Sequence, residues 1–219
     1  MLNIAAPEVE QLLMAIPIGI VCGLIGGLFN KGLVLLTRRL APLVRQRPLQ
    51  TGLCLGAGLS LLALLSWGTS TSDGEALVRQ LIDQGMPNAF SDDQKLVSGV
   101  TSLWITVVRV VGPMLALSPG VPGGLIDPSL TFGAVLGYTI CAVVGVSTQL
   151  GIGLGLAAGL SGATQLPLVS IIFSWRLAGD QQLFAGVVLA AVLAAYTGRL
   201  VCRDPVYHGL SKLQSAPRL

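Results

Sequence analysis

Long apolar runs separated by short polar connections occupy most of the chain. Leu12 to Leu36 is the first, with Pro17 near its start, and Thr51 to Trp67 is the second. The segment Gly68 to Lys95 is polar and carries Asp73, Glu75, Asp83, Asp92 and Asp93 against Arg79 and Lys95. Within it, Gly74 to Gln84 has the spacing of a short amphipathic helix. Leu96 to Leu117 is a third apolar run. Pro119, Gly120, Pro122, Gly123 and Gly124 then interrupt the hydrophobic pattern ahead of Leu125. A helix is expected to restart near Asp127 and to run to about Val146. Gln149 to Ala163 is glycine-rich and apolar. Pro167 to Ala178, at 12 residues, is too short to span a bilayer alone. Leu183 to Val201 is a full-length span, and Pro205 opens a final short helix.

The break matters because lipid does not tolerate open backbone at depth unless protein covers it or it lines a wet cavity. A helix restarting there aims unpartnered N–H groups, at the positive end of its dipole, into that cavity. Such an end holds an anion inside a membrane without a fixed positive charge. Broken and short helices of this kind mark substrate sites in transporters.

Composition agrees. Of 219 residues, 53% are hydrophobic and 11% charged, and mean hydropathy is +0.78; soluble domains carry about 25% charged residues. The chain therefore reads as an all-α, polytopic transmembrane bundle with broken and re-entrant helices, forming one membrane domain over residues 1–219. Its N-terminus lacks a basic region before the first apolar run, so that run reads as a span and not a secretory signal. The net charge of +3 implies no nucleic-acid partner, because the basic residues sit at membrane flanks. Lys31, Arg38, Arg39, Arg45 and Arg47 form a basic first connection. With Arg199, Arg203, Lys212 and Arg218 it belongs in the cytoplasm, together with the C-terminus, and the acidic segment belongs outside.

Glycine recurs at four-residue spacing at Gly19, Gly23 and Gly27; at Gly52 and Gly56; at Gly133 and Gly137; and at Gly151, Gly155 and Gly159. These stripes let helix backbones approach. Cys22, Cys54, Cys141 and Cys202 are far apart, without a CxxC pair, and read as small buried hydrophobes. Neither a metal site nor a cofactor is expected.

The stretch from Gly120 to Gly137, with its Pro122-Gly123-Gly124-Leu125-Ile126-Asp127-Pro128 core, resembles the GxFxP region of the CLC family of chloride channels and chloride/proton antiporters. Three more segments match in order: Gly23 to Asn30, Gly159 to Ile172, and Asp204 to Leu210 with its Pro-x-Tyr start. The resemblance covers nearly the whole chain, but only the second half of a CLC subunit, which is an inverted repeat. The first half of that fold supplies a Gly-Ser-Gly-Ile-Pro loop, whose serine contacts chloride, and a loop with a gating glutamate. This sequence contains neither. A missing N-terminal half and a homodimer partner are accordingly expected, alongside the lipid bilayer.

The resemblance implies transport of chloride or another small anion, through a voltage-gated channel or a proton-coupled antiporter. It implies anion contacts from the backbone N–H groups of Leu125 and Ile126. Gly123 and Gly124 leave room for the ion, Pro128 suits a first helical turn, and the Tyr207 hydroxyl contributes from the chain end. Asp127 departs from the family pattern. Its carboxylate is a candidate modulator, because it would compete for the same N–H groups. The ordinary alternatives are a plain helix-start turn and an interfacial tyrosine. Arg176 with Asp180 reads as a structural pair, and Arg109 as a snorkelling or carbonyl-bound cation.

Two other readings compete. One is a truncated, non-transporting membrane fragment or assembly partner. The other, far weaker, is a rhomboid-like intramembrane serine protease. It rests on the four-residue match Gly159-Leu-Ser-Gly162, with Ser161 as nucleophile and His208 as base.

Overall fold

A computed structural model describes residues 9, 13–66, 74–84, 95–120, 123–178 and 183–203. In these residues the chain forms helices α1 (Ala15–Gln46), α2 (Pro48–Leu65), α3 (Gly74–Gln84), α4 (Lys95–Leu117), α5 (Ile126–Val144), α6 (Thr148–Thr164), α7 (Pro167–Ala178) and α8 (Phe184–Val201). Four of them, α1, α2, α5 and α8, are long and apolar enough to cross a membrane.

α6 is the axis of the body. Every residue from Leu150 to Thr164 is buried, as befits a helix that is apolar on all sides. α5 lies antiparallel against it. A Cβ placed on Gly133 would strike the backbone of Gly155 and Gly159, and one on Gly137 that of Gly151 and Gly155. The glycine stripes of the two helices thus interlock, carbonyl against Cα. The connection is short. Gly145 takes the left-handed conformation (φ 83°), and its N–H and that of Val146 both donate to the Cys141 carbonyl at 2.9 Å.

α1 and α8 pack in parallel, and their small residues meet in register. Gly19 faces Ala190, Gly23 faces Ala194, and Gly27 faces Gly198. A Cβ at Gly19 would stand 2.9 Å from the Ala190 oxygen, and one at Gly27 2.8 Å from the Gly198 oxygen. α6 joins the same seam, since a Cβ on Gly162 would stand 2.9 Å from the Gly23 Cα. Side-chain bonds tie the three helices. Asn30 Nδ2 donates to the Ala163 carbonyl (2.5 Å), Ser161 Oγ to the Ala191 carbonyl (2.6 Å), and Gln165 Nε2 to the Cys202 carbonyl (2.6 Å).

Four expectations are corrected. The basic connection after the first span is helical: α1 runs on through Lys31, Arg38, Arg39 and Arg45 to Gln46. Arginine and leucine are good helix formers, and the helix continues until Arg47, whose N–H closes on the Leu43 carbonyl at 2.9 Å. Pro48 then opens α2 at its first position, where its missing N–H costs nothing. Thr51 Oγ1 laces this one-residue corner by donating to the Arg47 (2.9 Å) and Leu43 (3.2 Å) carbonyls. The second correction concerns α2, which has no buried residue. Gly52 and Gly56 face open space, so their spacing makes no helix seam within the chain. Cys54 is exposed on the same helix, not buried. Arg109 on α4 is only 4% exposed, so it is held inside the body and does not snorkel outward.

The seams predict opposite outcomes for two glycine substitutions. Gly137→Leu should destabilise the protein by at least about 1–3 kcal/mol, the range for overpacking a tight interior. Gly52→Ala should be neutral or stabilising by up to about 1 kcal/mol, the helix-propensity difference. Unfolding followed by circular dichroism in detergent compares them.

Candidate anion site at the start of α5

α4 ends with Ser118 and Gly120 folding back. The Ser118 N–H donates to the Met114 carbonyl (3.1 Å), the Gly120 N–H donates to the Leu117 carbonyl (3.0 Å), and Gly120 is left-handed at φ 86°. After residues 121–122, which lie outside the described residues, Gly123 and Gly124 are exposed and non-helical. Leu125 occupies the N-cap position without a side-chain cap, and Ile126 is the first helical residue. The leucine side chain is buried at 3% exposure and the isoleucine is 39% exposed.

The first turn is short of donors in a specific way. Ser129 N–H already bonds the Leu125 carbonyl at 3.3 Å. Pro128 has no N–H to offer. That leaves the amides of Leu125, Ile126 and Asp127 at the head of the helix, where no intrahelical acceptor exists. Gly124, without a side chain, opens the approach to them. Below this turn, Ser129 Oγ donates to the Ile126 carbonyl (2.7 Å) and Thr131 Oγ1 to the Asp127 carbonyl (2.8 Å). These bonds stiffen the turn.

Asp127 does not cap its own helix. Its carboxylate lies over the first residue of α3. A Cβ on Gly74 would overlap Thr131 Oγ1 and both Asp127 carboxylate oxygens. The carboxylate therefore sits at the N-terminal end of α3, where a negative charge is favoured by the helix dipole. Gly74 and Thr131 are the residues that sequence reasoning missed. Gly74 is separated from Asp127 by fifty-three positions, so no spacing pattern could pair them.

The other singled-out residues lie elsewhere. Tyr207 and His208 fall outside the described residues, as does Asp180, the expected partner of Arg176. Ser161 is fully buried in the helix seam, its hydroxyl committed to the Ala191 carbonyl. Among the described residues there is no cluster of three metal-ligating side chains.

The model of the family described as voltage gated chloride channel matches residues 2–199. The chain is 28% identical over 208 residues to the voltage-gated ClC-type chloride channel ClcB of Salmonella typhimurium, covering 90% of this chain and 46% of that protein. It is 26% identical over 131 residues to ClcB of Escherichia coli O139:H28, covering 55% of this chain and 31% of the relative. Its fold matches the crystal structure of a slow cyanobacterial Cl−/H+ antiporter with a TM-score of 0.65 at 18% identity, over 90% of this chain and 48% of the other. The chain thus spans about half the length, or less, of the proteins it matches. An all-helical bundle built on glycine seams, with a broken helix at Gly120–Ile126 and a family match over almost its whole length, belongs to the voltage-gated chloride channel (CLC) family and is an integral membrane protein.

Proposed function

We propose that this chain supplies the C-terminal half of a CLC-type anion pathway, in which chloride or another small anion rests against the start of α5. The observation that carries the reading is the uncapped head of that helix, preceded by exposed Gly123 and Gly124 and offering the amides of Leu125, Ile126 and Asp127. Neutral amides attract an anion without holding it as a fixed cation would, and conduction requires that the ion leave. The Tyr207 hydroxyl completes the inner end of the site in this reading, and the C-terminus lies in the cytoplasm.

One half-repeat builds one wall of such a path. The opposite wall, with its serine and gating-glutamate loops, comes from an N-terminal half. The chain covers 46% of one relative and 48% of the solved structure it matches, which leaves length for such a half in each. A homodimer partner is the further component. The row Leu168, Val169, Ile172 and Phe173 on α7, exposed and apolar, offers it a surface. The competing reading, a membrane fragment or assembly partner without transport, is favoured by the same coverage and is separated by experiment.

The carboxylate of Asp127 bears on the site less than its position in the motif suggests. A charge about 5 Å from a bound anion would cost roughly 3 kcal/mol at an effective dielectric near 20. The Asp127 carboxylate is engaged against Gly74 at the start of α3, where the helix dipole offsets part of its charge.

In liposomes the purified chain alone should give no chloride flux above empty vesicles. Co-expression with a CLC first half should restore it, and Asp127→Asn in that assembly should change the rate by no more than about twofold, under 0.5 kcal/mol. Flux from the chain alone would contradict the half-site reading. An inactive assembly would favour the non-transporting one.

A further inference from the structure

Lys31, Arg38 and Arg45 follow one another on α1 at seven-residue steps. Seven residues fall only about 20° short of two full helical turns, so Lys31 and Arg38 lie about 20° of arc apart. Arg45 continues the row beyond Pro42, which sits inside the helix and bends it. Fourteen residues at about 1.5 Å each make the stripe about 21 Å long. Read toward the N-terminus, the same stripe is Leu28 and Leu24, exposed at 59% and 41%, and Leu35 at 54% lies between Lys31 and Arg38. The face that presents leucines outward in the first part of α1 presents cations outward in the second.

The depth of this change matches a membrane boundary. About 20 apolar residues cross the hydrocarbon core; counted from Leu12, where the apolar run begins, they end at Lys31. The buried residues of α1 end at Leu33, so the cationic part has left the protein body while staying helical. It does not go on into water. At Arg47–Pro48 the chain turns directly into α2, which carries no charge and no buried residue from Pro48 to Leu65. α2 packs only lightly on the chain, with Leu62 near Gly112 of α4, and its exposed apolar face returns it to the bilayer. Along the roughly 21 Å from Lys31 to Arg45 the long side chains reach toward the headgroup layer from both sides of it.

Nothing nearby in sequence neutralises them. No aspartate or glutamate occurs between Glu10 and Asp73. Lys31, Arg38, Arg39 and Arg45 are exposed and have no ion pair among the described residues. Guanidinium groups bind phosphate through paired N–H donors, and snorkelling side chains reach that layer from a helix flank.

We propose that this stripe is a binding surface for the phosphate headgroups of anionic phospholipids, which lie along α1 from Lys31 to Arg45 with their acyl chains against Leu24, Leu28 and α2. A ladder of cations on the lipid-facing side of one helix, pinned by an apolar return helix, is a built feature and differs from basic residues spread through a loop. α1 and α8 run in parallel, so Arg199 lies at the same end of the bundle and serves as the control for diffuse positive charge.

The test reconstitutes the full chain in phosphatidylcholine vesicles holding a trace of spin-labelled phosphatidylglycerol or spin-labelled phosphatidylcholine. Electron paramagnetic resonance measures the motionally restricted fraction of each. Phosphatidylglycerol should be favoured by about threefold or more, and the preference should fade at about 0.5 M salt. The triple variant Lys31→Gln, Arg38→Gln, Arg45→Gln should remove most of it, with each single change removing part, and Arg199→Gln should leave it in place. Glutamine keeps helix propensity, and unchanged circular dichroism confirms the fold of each variant. No preference for the anionic lipid, a preference that survives the triple change, or an equal loss with Arg199→Gln would each overturn the proposal.

Discussion

The structure depends on backbone-to-backbone contact between helices. In lipid, burying apolar side chains drives helices together only weakly, because the surrounding chains are just as apolar; close van der Waals packing and interhelical hydrogen bonds must serve instead. Gly23 and Gly26 on α1, Gly162 on α6 and Gly198 on α8 meet at one node, where an added Cβ has no room. Around it, Asn30, Ser161 and Gln165 each donate to a carbonyl of a neighbouring helix or its end. These bonds are strengthened by the same closeness, since a side chain as short as serine reaches another backbone only when the axes lie near.

The site inherits its position from that contact. Gly133 and Gly137 lock α5 onto Gly151, Gly155 and Gly159 of α6, and the head of α5 is fixed as a rigid extension of the seam. Fixing it matters because backbone amides act as an anion site only when they point the same way without reorganising. The packing of α3 on α5 completes the arrangement. The Asp127 carboxylate and Thr131 Oγ1 lie against Gly74, so a residue that threatens the anion by charge serves as a tie to the neighbouring helix.

Much of this was legible in the sequence where one local signal decided the outcome. Pro167 and the apolar run after it gave the start of α7; the amphipathic spacing gave α3, and the glycine-proline break gave the start of α5. The end of α1 was not legible. A run of arginines marks the edge of the hydrocarbon, and Pro42 is a stop signal, yet the helix runs through both to Gln46. Glycine spacing failed for a different reason. Gly52 and Gly56 show the same four-residue step as Gly133 and Gly137, yet only the latter meet a second stripe. Spacing describes one face, and a seam needs two. The Gly74–Asp127 contact was invisible because tertiary packing alone brings those positions together, and the part assigned to Tyr207 falls outside the described residues.

The central claim is that amides at the head of α5 hold the anion, and one substitution isolates an amide. Ile126 is the first helical residue, the position where proline is best tolerated, so Ile126→Pro deletes a single N–H. Because Leu125 before it is αR (φ −91°, ψ −13°), a conformation disfavoured before proline, unchanged circular dichroism is required of the variant. Ile126→Val keeps the N–H and removes one methylene. Chloride binding to the chain assembled with a first half, measured by isothermal titration calorimetry, compares the two. The account predicts that Ile126→Pro weakens binding by about tenfold or more, as loss of a hydrogen bond to a charged group implies, and that Ile126→Val stays within about threefold of the parent, under 1 kcal/mol. Equal affinities for the proline variant and the parent would contradict it.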